Sequence, residues 1–193
     1  MSKSEDTGRS ILIVSASEQF TAAVKKLVKG VIMLDAKKSA ATARRMILER
    51  YYDLVIINAP LPDEPGEDLA IDVTRECKAS VLLVTSGEVY EDVLEHVTDF
   101  GILVISKPLT FRRLDQAIRF LSAMQNTIRG LEKEVQTAHE RMEELRIISK
   151  AKLVLIEQKH MTEDEAHRYI GKQAMDNGIS RRRAAERILD DLE

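Results

Sequence analysis

The sequence predicts an α/β domain on a five-stranded parallel sheet, then a long coiled-coil helix, then a small three-helix bundle. Three observations carry this expectation. Five short apolar runs recur through the first part of the chain: ILIV (11–14), VIML (31–34), LVII (54–57), VLLV (81–84) and ILVI (102–105). Segments with helical spacing separate them. From Thr110 onward proline is absent and a seven-residue apolar repeat takes over.

The five runs are unbroken rather than alternating, as expected for strands covered on both faces. Phe20, Val24, Leu27 and Val28 fall on one helical face after the first run, and Ala43, Met46, Ile47 and Tyr51 on another after the second. Residues 67–77 and 89–98 repeat the pattern. Strands alternating with helices imply a parallel, doubly wound sheet. Periodicity fixes this class and leaves strand order open.

Thr110 is placed to cap a helix just after Lys107-Pro108. Beyond it, one heptad position holds Leu114, Leu121, Ile128, Val135 and Met142, and the position three further on holds Ala117, Met124, Leu131, Ala138 and Leu145. Apolar first and fourth positions over successive heptads predict a coiled coil. The expected dimer seam is Leu114, Leu121, Ile128, Leu131, Val135, Met142 and Leu145. The alternative is a helix packed along its own domain, but Glu132, Lys133, Glu134, Glu140, Arg141, Glu143 and Glu144 make the surroundings too polar to be covered. A helix over 110–159 would be roughly 75 Å long. A globule of 21.8 kDa does not hide that, so a second copy is expected to cover the seam. Gly130 interrupts it at a cost of about 1 kcal/mol relative to Ala and is expected on the exposed side.

Thr162 and Glu165 form a capping box, with Met161 placed to staple against Ala166. That helix runs through Ala166, Ile170 and Ala174 and ends at Asn177-Gly178. Ser180 caps a last helix with Ala184, Ala185, Ile188 and Leu192 as its buried stripe. Small residues let helices approach closely, so a compact three-helix bundle is expected, with the end of the long helix as its first member.

Cys77 is the only cysteine, so no internal disulfide forms and a reduced, cytoplasmic setting is expected. No apolar run approaches the ~18 residues of a membrane span. The N-terminal MSKSEDTGRS lacks the apolar core of a signal peptide and reads as a polar tail over 1–9. Domains are expected at 10–109, 110–149 and 150–193. Their charge balances differ: 13 basic and 17 acidic residues over 1–109, 7 and 6 over 110–149, and 9 and 9 over 150–193. A nucleic-acid partner would therefore need its cations clustered on one face. No metal-ligand cluster, nucleophilic triad or phosphate-binding glycine loop is present in the sequence, so neither an enzyme nor a cofactor is expected.

The stretch DLVIINAPLPDEPG (53–66) reads as a buried strand and the loop after it, where α/β sheets place their chemistry. The strand ends in Asn58, an amide that neither titrates nor attacks. Pro62 and Gly66 follow at fixed spacing, Thr85 ends the fourth run, and Lys107 precedes Pro108 after the fifth. Residues 1–109 thereby resemble the flavodoxin-like receiver domain of two-component response regulators. In that family an acidic pair after the first strand holds Mg²⁺ and an Asp ending the third accepts a phosphoryl group. Ser15 and Ala16 stand at the acid-pair positions and Asn58 at the acceptor position. Val104 replaces the aromatic usual three residues before the lysine. The resemblance thus implies a pseudo-receiver whose emptied pocket comprises Ser15, Ala16, Asn58, Thr85 and Lys107. Lys107 is expected to donate to the Asn58 oxygen or to a strand-end carbonyl. Binding of some other small anion is the alternative. Asp53 and Asp63 fit a strand start and a turn.

The stretches KAKLVLI (150–156), MTEDEAHRYIGKQAMDNGIS (161–180) and RRRAAERIL (181–189) resemble the ANTAR domain, an RNA-binding antiterminator module. Ala151, Ala166, Ala174 and Ala185 match its small core positions, while Leu153 and Ile156 depart from it, with packing consequences expected. The resemblance implies a dimer that binds hairpins in nascent leader RNA, with a regulatory protein partner as its input. Arg168, Tyr169, Lys172, Arg181, Arg182 and Arg183 are the expected RNA-binding residues. Arg offers a planar fork and a persistent charge, and Tyr169 a stacking face. The bland readings are a solvated helix start for the Arg run, with one member paired to Glu186 or Asp190, and a core-covering role for Tyr169. A coiled-coil adaptor without RNA binding, a phosphorylated response regulator and a DNA-binding helix-turn-helix protein stay open as alternatives.

Overall fold

A computed structural model describes residues 9–192, the side chain of Leu192 excepted. The tail expected over 1–9 lies outside that range, apart from Arg9, which opens the first strand. The chain forms two compact units, residues 1–128 and 129–193.

In the first unit β1 (Arg9–Val14), β2 (Val31–Lys37), β3 (Leu54–Asn58), β4 (Ser80–Thr85) and β5 (Leu103–Ser106) alternate with α1 (Glu18–Leu27), α2 (Ala40–Glu49), α3 (Glu67–Cys77) and α4 (Tyr90–Val97). The strands are all parallel, in the order β2-β1-β3-β4-β5. This is the flavodoxin-like order, whose direction reverses between β1 and β3. All five residues of central β3 are buried, which is why its sequence is unbroken LVIIN.

Alternate strand residues feed two apolar layers, as the pleat requires. Leu12, Val14, Val55, Ile57, Val81 and Leu83 pack with α2, α3 and α4. Ile11, Ile13, Leu54, Ile56, Leu82 and Val84 pack on the other face with Val24 of α1 and with Leu114, Ala117, Ile118 and Leu121.

Those last four residues belong to α5 (Phe111–Lys159), a single helix of 49 residues capped by Thr110, whose hydroxyl accepts from Arg113 N at 3.2 Å. Leu114 and Leu121 are each only 3 % exposed. They were expected in an intermolecular seam, and the structure instead places them in the core of the first unit. The boundary expected at 109 accordingly falls before that unit's last helix. The reason is that a helix covering a sheet and a coiled-coil helix share the same spacing over two turns. From Met124 on the stripe changes character: Ile128, Leu131, Val135, Met142 and Leu145 are all exposed, Val135 and Met142 to 69 %. Gly130 lies in this stretch with open space where a Cβ would stand.

The second unit packs the end of α5 against α6 (Glu163–Asp176) and α7 (Arg181–Leu192). Its core is alanine-rich: Ala151, Ala166, Ala174, Ala184 and Ala185 join Leu155, Ile170, Ile188 and Leu189. The capping box forms, with Glu165 Oε2 accepting from Thr162 N at 2.8 Å. Met161 packs against the cluster that contains Ala166. Ser180 Oγ caps α7 by accepting from Arg183 N at 3.2 Å. Leu189 completes the stripe, while Leu192 lies outside the described side chains. Ile156 is partly buried in this core, but Leu153, expected to alter packing, is exposed. Among the described residues no helix is long and apolar enough to cross a membrane.

Candidate functional site

Two regions qualify, one in each unit. In the first, Ser15 follows β1 and Asn58 ends β3, so they flank the switch point of the sheet, the place where such folds bind ligands. Asn58 Nδ2 donates to Ser15 Oγ at 2.9 Å, and both residues are buried. Ser15 Oγ also accepts from Ser17 N at 3.1 Å. Ser17 in turn caps α1, accepting from Phe20 N at 3.2 Å. Ala16 is exposed and Thr85 buried. Asn58 Oδ1 has no hydrogen-bond partner among the described residues.

Lys107 donates to the carbonyl of Ala59, one residue past the end of β3. Of the two acceptors expected for it, this is the backbone one. Burial pushes its ammonium below the ordinary lysine range. The peptide bonds Ala59-Pro60 and Lys107-Pro108 are both cis. Ser17, Asn58 and Lys107 line a cleft of about 600 Å³ together with Phe20, Phe111 and Leu114. Mg²⁺ is built into sites by carboxylate oxygens, and Ser15, Ala16 and Asn58 provide none. These residues do not fit that ion.

Two nearby carboxylates are committed elsewhere. Asp53 sits at the opposite end of β3, where its Oδ2 accepts from Ser10 N at 2.8 Å. Asp63 caps α2, accepting from Ala40 N and Ala41 N at 2.9 Å each. Those bonds, Ala41's foremost, hold its carboxyl below the usual range. The loop after β3 is further pinned by Arg44, which pairs with Glu64 and, at 2.8 Å, with Asp72.

In the second unit Arg168, Tyr169 and Lys172 line one groove of about 440 Å³. The i, i+4 spacing puts the two cations on one face of α6. Tyr169 is half-buried, its ring partly covering the alanine core and partly facing the groove. Lys159, His160, Met161 and Glu165 complete the lining. Lys159 and His160 are not foreseen from the sequence. Their signal there is faint: a cation in the last turn of a helix, and a His just past it. His160 adopts φ 53°, the left-handed conformation that ends helices. Glu165 is occupied by Thr162, whose backbone and hydroxyl hold its carboxyl below the usual range, with Arg168 assisting.

Arg181, Arg182 and Arg183 are exposed in the first turn of α7 but are not part of that groove. Arg182 Nε pairs with Glu186 at 2.9 Å, so one of the three is engaged, as the bland reading of the run expects.

The ANTAR domain family matches residues 136–189, beginning earlier than the expected 150. Over 141 residues the chain is 31 % identical to the transcriptional regulatory protein PdtaR of Mycobacterium tuberculosis, covering 72 % of this chain and 68 % of that protein. The chain belongs to the ANTAR-domain response regulators. The first unit is similar to the receiver domain of an HD domain-containing protein from Pseudomonas fluorescens, with TM-score 0.56 and 25 % identity over 64 % of this chain and 94 % of that one. A CheY-like receiver domain from Methanospirillum hungatei shares the fold at TM-score 0.56 and 20 % identity, covering 63 % of this chain and 98 % of that one. An ANTAR-domain response regulator acts in the regulation of transcription. The groove on α6 lies within the matched segment, and the Ser15–Asn58 pair lies at the switch point of the receiver-like sheet.

Proposed function

We propose that this ANTAR-domain regulator binds hairpins in nascent leader RNA as a dimer and lets polymerase pass a terminator. The observation that supports it most is the groove in which Arg168, Lys172, Lys159 and His160 surround the half-buried Tyr169. Hairpin loops offer unpaired bases and closely spaced phosphates, which call for a stacking face ringed by cations. Arg181 and Arg183 add exposed charge at the start of α7, where free backbone N–H groups also favour phosphate. The exposed stripe from Met124 to Leu145 supports pairing through a second copy. The receiver takes its input by contact with a partner protein, since neither an acceptor carboxylate nor a metal-binding pair stands in its pocket.

The test is a mobility shift on tandem hairpins from leader RNA near the gene, with duplex DNA as competitor. Wild type is expected to prefer RNA and to lose affinity steeply with added salt. Undiminished binding by the Arg168→Ala/Lys172→Ala variant would remove the α6 groove from the interface. Light scattering of the free protein tests the dimer.

A further inference from the structure

The cleft beside Asn58 carries more bonding capacity than the fold uses. Its volume of about 600 Å³ lies within the range of small-molecule pockets. Phe20 and Ala23 of α1 and Leu109, Phe111 and Leu114 around the start of α5 give it apolar walls. Its polar groups are few, which is the usual composition of a pocket that orients an organic ligand.

One of those groups is underused. Asn58 is buried to nine-tenths, its Nδ2 is taken by Ser15, and its Oδ1, which accepts from no described residue, has almost no accessible surface for a ligand to reach. Lys107 Nζ has three donors and spends one on Ala59 O. Among the described residues no carboxylate forms an ion pair with it, and burial lowers its pKa with no anionic neighbour to offset the desolvation. A cation with donors to spare therefore stands in an apolar cleft at the switch point of the sheet. Inorganic phosphate fits poorly here. The first turn of α1 is already capped by Ser17, and phosphate would leave the apolar walls wet.

We propose that this cleft binds a small organic carboxylate with an apolar body. Its carboxylate sits on Lys107 and its body lies against Phe20, Phe111 and Leu114. The inference rests on the reading of the receiver as a domain that takes no phosphoryl group. It gives that emptied pocket a ligand class, and places the ligand against the first turn of α5.

Mandelate, which combines carboxylate and ring, is the probe. The full chain is titrated while amide ¹H–¹⁵N shifts are followed. A saturable shift centred on Asn58, Lys107 and Phe111 is expected, with lactate (no ring) and mandelamide (no charge) both binding more weakly. Lys107→Gln should weaken mandelate about tenfold, the loss expected for one charge-assisted bond. Ala23→Phe, which fills the cleft and leaves Lys107 in place, should abolish the shift while circular dichroism reports an intact fold. No saturable shift, equal affinity for lactate, or equal affinity in a folded Lys107→Gln protein would each overturn the proposal. Intact mass after acetyl phosphate and Mg²⁺ is measured in parallel. A phospho-species would refute the underlying reading of the receiver, a result separable from the titration.

Discussion

The Asn58 amide and the Ser15 hydroxyl, one at the end of β3 and the other just past β1, are hydrogen-bonded to each other at 2.9 Å. A neutral pair thus closes the space between the two strands that flank the switch point. Phosphoryl transfer there would bring two anions together and would need a metal and a lysine to neutralise them. Restoring one carboxylate restores neither the metal site nor the electrostatic balance. Asn58→Asp alone is therefore expected to show no phospho-species by intact mass with acetyl phosphate and Mg²⁺. Labelling of that single variant would mean that transfer here needs no carboxylate at Ser15 or Ala16.

The long helix should respond in two ways to the same kind of change. Leu114 is buried against the sheet, so Leu114→Ala should cost about 2–5 kcal/mol of first-unit stability in urea. Val135 is 69 % exposed, so Val135→Lys should leave that transition in place and reduce the mass measured by light scattering. An unchanged mass would remove Val135 from the proposed seam.

Within the arginine run the members should not be equivalent. Arg182 is held by Glu186, with Glu143 and Glu144 also contributing to its field. Arg181 and Arg183 stand exposed beside it in the same turn. Arg183→Ala is expected to lower hairpin affinity more than Arg182→Ala. It should also reduce the salt slope by about 0.7 for each phosphate that the side chain neutralises in the wild type. The reverse order in a mobility shift would argue that the Glu186 pair breaks on binding.

Acid should loosen the second unit through its capping box. Glu165 has a folded pKa below its unfolded one, because the ionised carboxylate accepts from Thr162 N and from the Thr162 hydroxyl. A depressed carboxylate contributes stability that is present above the unfolded value of 4.5 and lost as pH falls through the folded one. Wild type should exceed Glu165→Gln in stability at neutral pH, and the difference should close below pH 4.5. Urea titrations at the two pH values check this; a gap that persists in acid would contradict it.

How far the sequence can be read depends on the range of the interaction. The five strands are legible because burial on both faces forces an unbroken apolar run, and β3 is the clearest case. The capping box at Thr162 and Glu165 is legible because its partners are three residues apart. The seam is misread at Leu114 and Leu121, because what covers a helix face is decided by elements distant in sequence. Lys159 and His160 are missed for a related reason. Their approach to Arg168 depends on the left-handed turn at His160, and no pattern in the sequence marks it. The sequence narrows the Lys107 partner to two acceptors, and only the folded path of the chain past Asn58 selects Ala59 O.

The stripe from Met124 to Leu145 finds no cover among the described residues, and under the proposed pairing that makes protein concentration a variable of the switch. Pairing is bimolecular, so the paired fraction climbs with the amount of chain present. A transcript with two hairpins gains from a reader with two heads only once pairs exist, because the second engagement is then intramolecular. Below the pairing constant single chains would hold RNA briefly. Above it, retention would rise faster than in proportion to the chain, so under that pairing the helix would double as a threshold on gene dosage.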